Sequence, residues 1–278
     1  MLVHAHPDDE ASSTGATMVH YARQGVAVTL VTCTRGELGE IVAADLAGLQ
    51  EDGPDGLARL RERELADALG VLGVHHHHWL GGAGRWRDSG MAGAPSNDAP
   101  EAFVNAESGE AVRALVGVLR AERPHVVITY DGNGGYGHPD HIQAHRVTMA
   151  ALDPAADAAY EPELGRPWQV PKTYWSAIPR AVLQQIVDAG VAPSLDDLPA
   201  GTPDEEITAA VDGREHLDVK IAALRAHRSQ VDLDNGLFAA VTDVPEFAVE
   251  HYVLGRGQRG AGSGPHGWED DLFAGIEG

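Results

Sequence analysis

Leu2-Val3-His4-Ala5-His6-Pro7-Asp8-Asp9-Glu10 is the stretch whose reading decides the fold. Two apolar residues run into a dense set of imidazoles and carboxylates. The periodic segment Thr14–Arg23 follows, with Gly25 as its stop signal. This is the signature of a buried strand ending where a helix begins. In an open α/β sheet the carboxyl ends of the strands border the crevice that binds ligands, so these polar side chains fall at a candidate site. His6 and Asp9, three residues apart across Pro7, can converge on one cation and leave Asp8 between them as an unligated carboxylate. A His with an Asp is ligation that Zn²⁺ or Fe²⁺ accepts. Alone, the pair is equally a polar loop with two solvated acids, and a third ligand has to decide between the readings.

Outward from this stretch, Val26–Cys33 is a β-branched run of the kind found in strands buried on both faces. Leu57, Leu60, Leu65, Leu69 and Leu72 recur at helical spacing and predict a helix over Leu57–Leu72. The histidines His75–His78 alternate faces along a strand, so at most two can point the same way. They read as a surface strand edge with no physiological metal. Helix Glu110–Arg123, strand His125–Tyr130 and helix Ile142–Leu152 continue the alternation. The order predicts an α/β fold with a Rossmann-like, doubly wound, mostly parallel sheet.

Beyond residue 154 the pattern weakens. Lys172–Ile178 and Glu205–Val211 read as strands, Ala181–Ala189 and Arg214–Arg228 as helices, and Gly255–Gly264 as a loose tail. With no internal repeat and no clean linker, the expectation is a single domain over 1–278. Its core is 1–154, and 155–278 form a smaller C-terminal region appended on the substrate side. Two loops stand out. Gly48–Gly56 is acidic and glycine-rich, which reads as a surface loop, while residues 81–108 are long enough to suggest function. The second contains Arg85-Trp86-Arg87-Asp88-Ser89-Gly90-Met91 and is expected to face substrate.

Composition narrows the class. The chain has 278 residues, 43% of them hydrophobic. It contains no apolar run of the ~18 residues a membrane span needs, and no signal peptide is read at its start. A formal net charge of −22 disfavours nucleic acid and anionic membrane surfaces as partners. The lone Cys33 has no intrachain partner, which makes a cytoplasmic location the default.

His138-Pro139-Asp140-His141 supplies the other half of the site. It follows the strand ending at Tyr130 and opens a helix, with Pro139 near the first turn, where a missing amide hydrogen is tolerated. His6, Asp9 and His141 then form a two-His, one-carboxylate set with an open position, the pattern of a catalytic rather than a structural zinc site. Two other readings compete. Gly132-x-Gly134-x-x-Gly137 matches the dinucleotide fingerprint formally, but lacks small residues after it and an acid at the next strand end. The same ligand set could hold Fe²⁺ in an oxygenase, although a hydrolase better explains Asp8.

The segments AHPDDE at 5–10, TCTRGELGE at 32–40, GRWRDSGMAG at 84–93 and YDGNGGYGHPDHIQAHRVT at 130–148 resemble the LmbE-like (PIG-L) zinc deacetylases. The resemblance spans about residues 1–150, with weaker echoes at Val170–Trp175, Arg214–Val231 and Trp268–Ile276. It implies Zn²⁺, or Fe²⁺ in vivo, on His6, Asp9 and His141, with Asp8 as general base. It places Tyr136 and a protonated His138 at the oxyanion, with Asp140 orienting His138. Arg61 and Asp88 are expected on a small amino-sugar–inositol substrate, with Ser13 and Met91 lining the site. The implied activity is hydrolysis of an N-acetyl amide. A sister branch of amidases cleaving mycothiol S-conjugates, and a non-catalytic zinc- or sugar-binding protein on the same fold, are the alternatives.

Overall fold

The computed structural model describes residues 1–278 apart from 51–52, 189, 191, 196–197, 199 and 277–278. In chain order its elements are β1 (Leu2–His4), α1 (Asp9–Arg23), β2 (Thr29–Thr32), α2 (Pro54–Leu72), β3 (His76–Trp79) and α3 (Ser108–Glu122). Next come β4 (Val126–Thr129), the single turn α4 (Gly134–Gly137), α5 (Pro139–Ala156), β5 (Lys172–Ala177) and α6 (Arg180–Asp188). β6 (Ala209–Asp212), α7 (Leu217–Ala226), α8 (Gly236–Val241) and β7 (Val249–Arg256) complete the series.

The strands form one sheet in the order β3-β2-β1-β4-β5-β7-β6. The first five are parallel, whereas β7 runs antiparallel to both β5 and β6. β1, β2 and β4 are buried on both faces because two helical layers cover them. On one side Met18, Leu65, Leu72, Ile221 and Leu224, carried by α1, α2 and α7, pack together. On the other, Leu115, Leu119, Val147 and Leu152 of α3 and α5 do the same. Strand order reverses between β1 and β4. That switch point opens a crevice at the strands' carboxyl ends, and His4–Asp9 and Tyr130–His141 both emerge there. The doubly wound α/β architecture expected from the alternation is the one observed.

The two lysines of the chain, Lys172 and Lys220, are both inside it, at 2% and 1% exposure. Lys172 pairs with Glu269, and Lys220 Nζ lies 2.7 Å from Glu250 Oε1.

Several boundaries differ from the sequence expectation. α1 begins at Asp9, not Thr14, because Asp8 turns the backbone into the left-handed region (φ 111°) and two acids then occupy the first turn. α2 begins at Pro54, three residues before Leu57, and residues 51–52 of the expected loop lie outside the described residues. The helix expected over Ala181–Ala189 is Arg180–Asp188, with Ala189 likewise outside them. The helix expected over Arg214–Arg228 splits into a 3₁₀ turn, Arg214–His216, and α7. The strand expected at Glu205–Val211 starts only at Ala209. β7 has no counterpart in the sequence reading. The histidine run does lie on an edge strand, where His76 and His78 face Glu122 and His77 meets Thr32 Oγ1 at 3.0 Å. Among the described residues no helix is long and apolar enough to cross a membrane.

Candidate active site

Two helix starts build the site. His138 caps α5: its Nδ1 accepts the backbone N–H of Asp140 at 3.2 Å, and Pro139 occupies the next position. The helix then presents His141 toward β1. Gly134 (φ 66°) lets the preceding loop pass close by, since a Cβ there would lie 2.7 Å from that of His141.

His6, Asp9 and His141 meet at the centre. His6 Nδ1 lies 3.3 Å from His141 Nε2 and 3.4 Å from Asp9 Oδ2, and His141 Nε2 lies 3.4 Å from Asp9 Oδ1. The outer ring nitrogens of the two histidines are already engaged, and so is one of the Asp9 oxygens in the triangle. His141 Nδ1 donates to the Gly134 carbonyl (3.2 Å), and His6 Nε2 bonds Asp140 Oδ2 (3.0 Å). Asp9 Oδ2 accepts the Tyr130 hydroxyl (2.8 Å) and the His6 amide (2.9 Å). A carbonyl can only accept, so His141 carries its proton on Nδ1 and turns the Nε2 lone pair inward. Three inward acceptors at this spacing repel unless a cation or a proton sits among them. Bonds of about 2.1 Å to a tetrahedral zinc would put ligand atoms ~3.4 Å apart, so these donors fit such an ion. The partners that orient them are the kind that support metal ligands.

The electrostatics agree. Burial, assisted by His6 and opposed by Asp9, lowers the His141 pKa to about 4, which keeps its imidazole neutral. Burial also opposes a charge on His6, but Asp88, Asp140 and Asp9 outweigh it and raise its pKa well above the ordinary value. One ring nitrogen of His138 also comes within 4.8 Å of the His6 and His141 nitrogens, and a second group, His6–Asp88–Asp140, clusters around the other side of the His6 ring. The oxygens of Asp140 are already held by Ser89 N, Ser89 Oγ and His6. That second group is better described as the support of His6.

Asp8 stands beside this centre. Arg61 donates to its Oδ2 at 3.0 Å, and its pKa is raised to about 6, by burial first and by Asp9 as well, against the pull of Arg61.

Three expectations change. The carboxylate of Asp140, expected to orient His138, instead holds His6 and Ser89, and His138 receives only the Asp140 amide. His138, expected to be protonated, is neutral. Burial, with His6 and His141 nearby, lowers its pKa to about 3, and with Nδ1 already accepting, the neutral ring carries its proton on Nε2. Arg61, expected on the substrate, is 3% exposed and closed onto Asp8, the Pro7 carbonyl and the Gly36 carbonyl. Gly36 (φ 65°) permits that approach, since a Cβ there would lie 2.2 Å from the guanidinium.

The remaining expected residues are placed as follows. Asp88 is buried, with Oδ1 accepting from Gly90 N (2.8 Å) and Oδ2 from Leu38 N (3.2 Å); Oδ1 is also 3.7 Å from His6 Nε2. Tyr136 is 51% exposed, its ring 5.1 Å from that of His141. Ser13 lies on α1, half-buried, one turn beyond Asp9, and Met91 is 56% exposed two residues past Ser89. The sequence reading misses Tyr130, stacked on His141 at 4.1 Å, and Ser89 and Glu37, which anchor Asp140 and the Asp88 amide. A tyrosine at the end of a buried strand and a serine beside Asp88 in the long loop are the signals that could have found the first two.

The family model for PIG-L, described as GlcNAc-PI de-N-acetylase, matches residues 1–152. A Saccharopolyspora erythraea protein named 1D-myo-inositol 2-acetamido-2-deoxy-alpha-D-glucopyranoside deacetylase 2 is 59% identical over 278 residues, covering 100% of both chains. A Geodermatophilus obscurus deacetylase named for the same compound is 51% identical over 290 aligned residues, covering 100% of this chain and 98% of its own. The crystal structure of a conserved protein from Thermus thermophilus shares the fold, with a TM-score of 0.58 at 21% identity, over 95% of this chain and 98% of that one. The doubly wound sheet and these relatives define the class of the molecule as a deacetylase-type α/β enzyme, and the chain belongs to the PIG-L family.

Proposed function

We propose that this protein is a metal-dependent N-deacetylase. It would hydrolyse the N-acetyl amide of 1D-myo-inositol 2-acetamido-2-deoxy-alpha-D-glucopyranoside to the free amine and acetate, in the route to mycothiol. The observation that carries the reading is the convergence of acceptors from His6, Asp9 and His141 beside the unligated Asp8. The names of relatives at 59% and 51% identity supply the substrate.

In this reading His6, Asp9 and His141 hold Zn²⁺, with Fe²⁺ the other ion this donor set accepts. When bound, the ion supplies Lewis acidity toward the amide carbonyl and strengthens water as a nucleophile. Asp8 takes the proton of the attacking water and returns it to the departing amine as the C–N bond breaks. Arg61 occupies Asp8 Oδ2, which leaves Oδ1 for that proton. His138 Nε2–H and the Tyr136 hydroxyl donate to the developing oxyanion, each worth roughly 3 kcal/mol by analogy with other acyl-transfer sites. Asp140 fixes the His6 ring. Arg61 and Asp88 act on the substrate by holding the loops Thr34–Glu40 and Arg85–Met91 that face it.

The pH profile of kcat/KM should therefore lose its acidic side through Asp8. The carboxylate is the active form, its pKa is raised to about 6 by burial, and a bound cation would lower that value. Activity is expected to fall as pH drops through about 6 or below. His138 is already neutral and burial pushes the Tyr136 phenol up, so the profile should stay flat from ~7 to ~9. A descending limb inside that range would return His138 to a protonated role.

The function itself is tested by amine release from three substrates on metal-reconstituted protein. N-acetylglucosaminyl-inositol is expected to show a higher kcat/KM than free N-acetylglucosamine or a mycothiol S-conjugate. Asp88→Ala should erode that preference more than it erodes metal content, because Asp88 holds the Leu38 and Gly90 amides of the two loops that face the sugar. If the S-conjugate is the better substrate, the protein is the amidase.

A further inference from the structure

The C-terminal half of the chain sends one imidazole to the back of the catalytic loop. His227 follows α7, and its Nε2 lies 2.6 Å from Glu10 Oε1. The pair joins positions 217 residues apart, and both side chains are 0% exposed. The other oxygen of Glu10 accepts the backbone N–H of Asp8 at 2.9 Å. Asp8 is one of four non-glycine residues with positive φ among those described, and at 111° it holds a left-handed conformation that a side-chain-bearing residue rarely adopts. Such a conformation persists only where its surroundings over-determine it. Here Glu10 grips the Asp8 amide from behind while Arg61 grips its carboxylate from the side.

We propose that His227 is a positioning residue for the base: through Glu10 it locks the Asp8 backbone in the conformation that points the carboxylate into the site. The proposal rests on the reading of Asp8 as the base. A buried carboxylate without its partner is strongly disfavoured, so Glu10 stripped of His227 would turn toward another donor or toward water, releasing the Asp8 amide. His227 itself is not a catalytic group, because Glu10 stands between it and the loop. Neighbouring Ser229 engages Glu64 in the same manner, with its amide at 2.9 Å and its hydroxyl at 2.6 Å, and so anchors the segment that carries His227. Among the described residues the Nδ1 of His227 has no hydrogen-bond partner, so the ring's hydrogen bond there is the one to Glu10.

The test is a double-mutant cycle on metal-loaded full-length protein. His227→Ala is expected to lower kcat at least tenfold, with KM changing less than threefold and metal content retained. His227→Gln, whose amide N–H can still reach Glu10, should recover most of the loss and guards against a misfolded alanine variant. In an Asp8→Asn background His227→Ala should cost nothing further, because a lock has no effect once the base it holds is gone. An equal loss in both backgrounds, or alanine and glutamine variants at wild-type kcat, would overturn the positioning role while leaving the base assignment standing. If Asp8→Asn alone keeps wild-type activity, the base assignment falls, and the lock with it.

Discussion

Asp8→Asn is expected to lower kcat/KM by at least about a hundredfold, the low end for loss of a general base, while metal content and thermal unfolding stay close to wild type. The amide keeps the shape of the carboxylate and can still meet Arg61, so the change removes proton affinity and little else. Asp8 contributes no atom to the acceptor triangle of His6, Asp9 and His141, which is why metal should remain. A non-catalytic binding protein built on this fold would retain both its metal and its ligand affinity in the variant, with no turnover in either form. Activity within a few-fold of wild type would mean that the nucleophile is activated elsewhere.

The other large effect is on metal content. His6→Ala, Asp9→Ala and His141→Ala should each lose the bound ion, because a three-ligand site with an open position has no donor to spare. His138→Ala should keep it. That contrast matters because His138 also approaches the His6 and His141 nitrogens. Elemental analysis after gel filtration decides between the sets. A full equivalent of metal in Asp9→Ala together with none in His138→Ala would replace the carboxylate by a third imidazole.

Much of this is legible in the chain because both halves of the site sit where hydrophobic runs stop. His6–Asp9 and His138–His141 each follow an apolar strand and open a helix, a local pattern that needs no knowledge of distant residues. What stays hidden depends on pairs far apart in sequence. Tyr130 reaches Asp9 across 121 positions, and His227 reaches Glu10 across 217. Arg61 reads as a polar residue between helical leucines, and nothing local says that its guanidinium turns inward. β7 escapes the sequence reading for a related reason. Its inward positions include Glu250, which is buried with Lys220 and accepts the Ala16 and Thr17 amides, so the strand lacks the apolar alternation that reveals one. The Rossmann-like half follows from pattern; the antiparallel edge needs charges that find partners only after folding.

The burial of Lys172 and Lys220 gives the molecule an unusual outer chemistry. Histidines aside, every cationic side chain on its surface is a guanidinium, which is planar, permanently protonated and inert to mild acylating reagents. No lysine ammonium is offered to an activated ester, an aldehyde or an acetyl donor while the fold is intact. The two ε-amines become nucleophiles only when the sheet edge around Glu250 and Glu269 comes apart. Lysine acylation would thus act as a built-in gauge of opening at that edge, reading zero in the native protein and two in the unfolded chain.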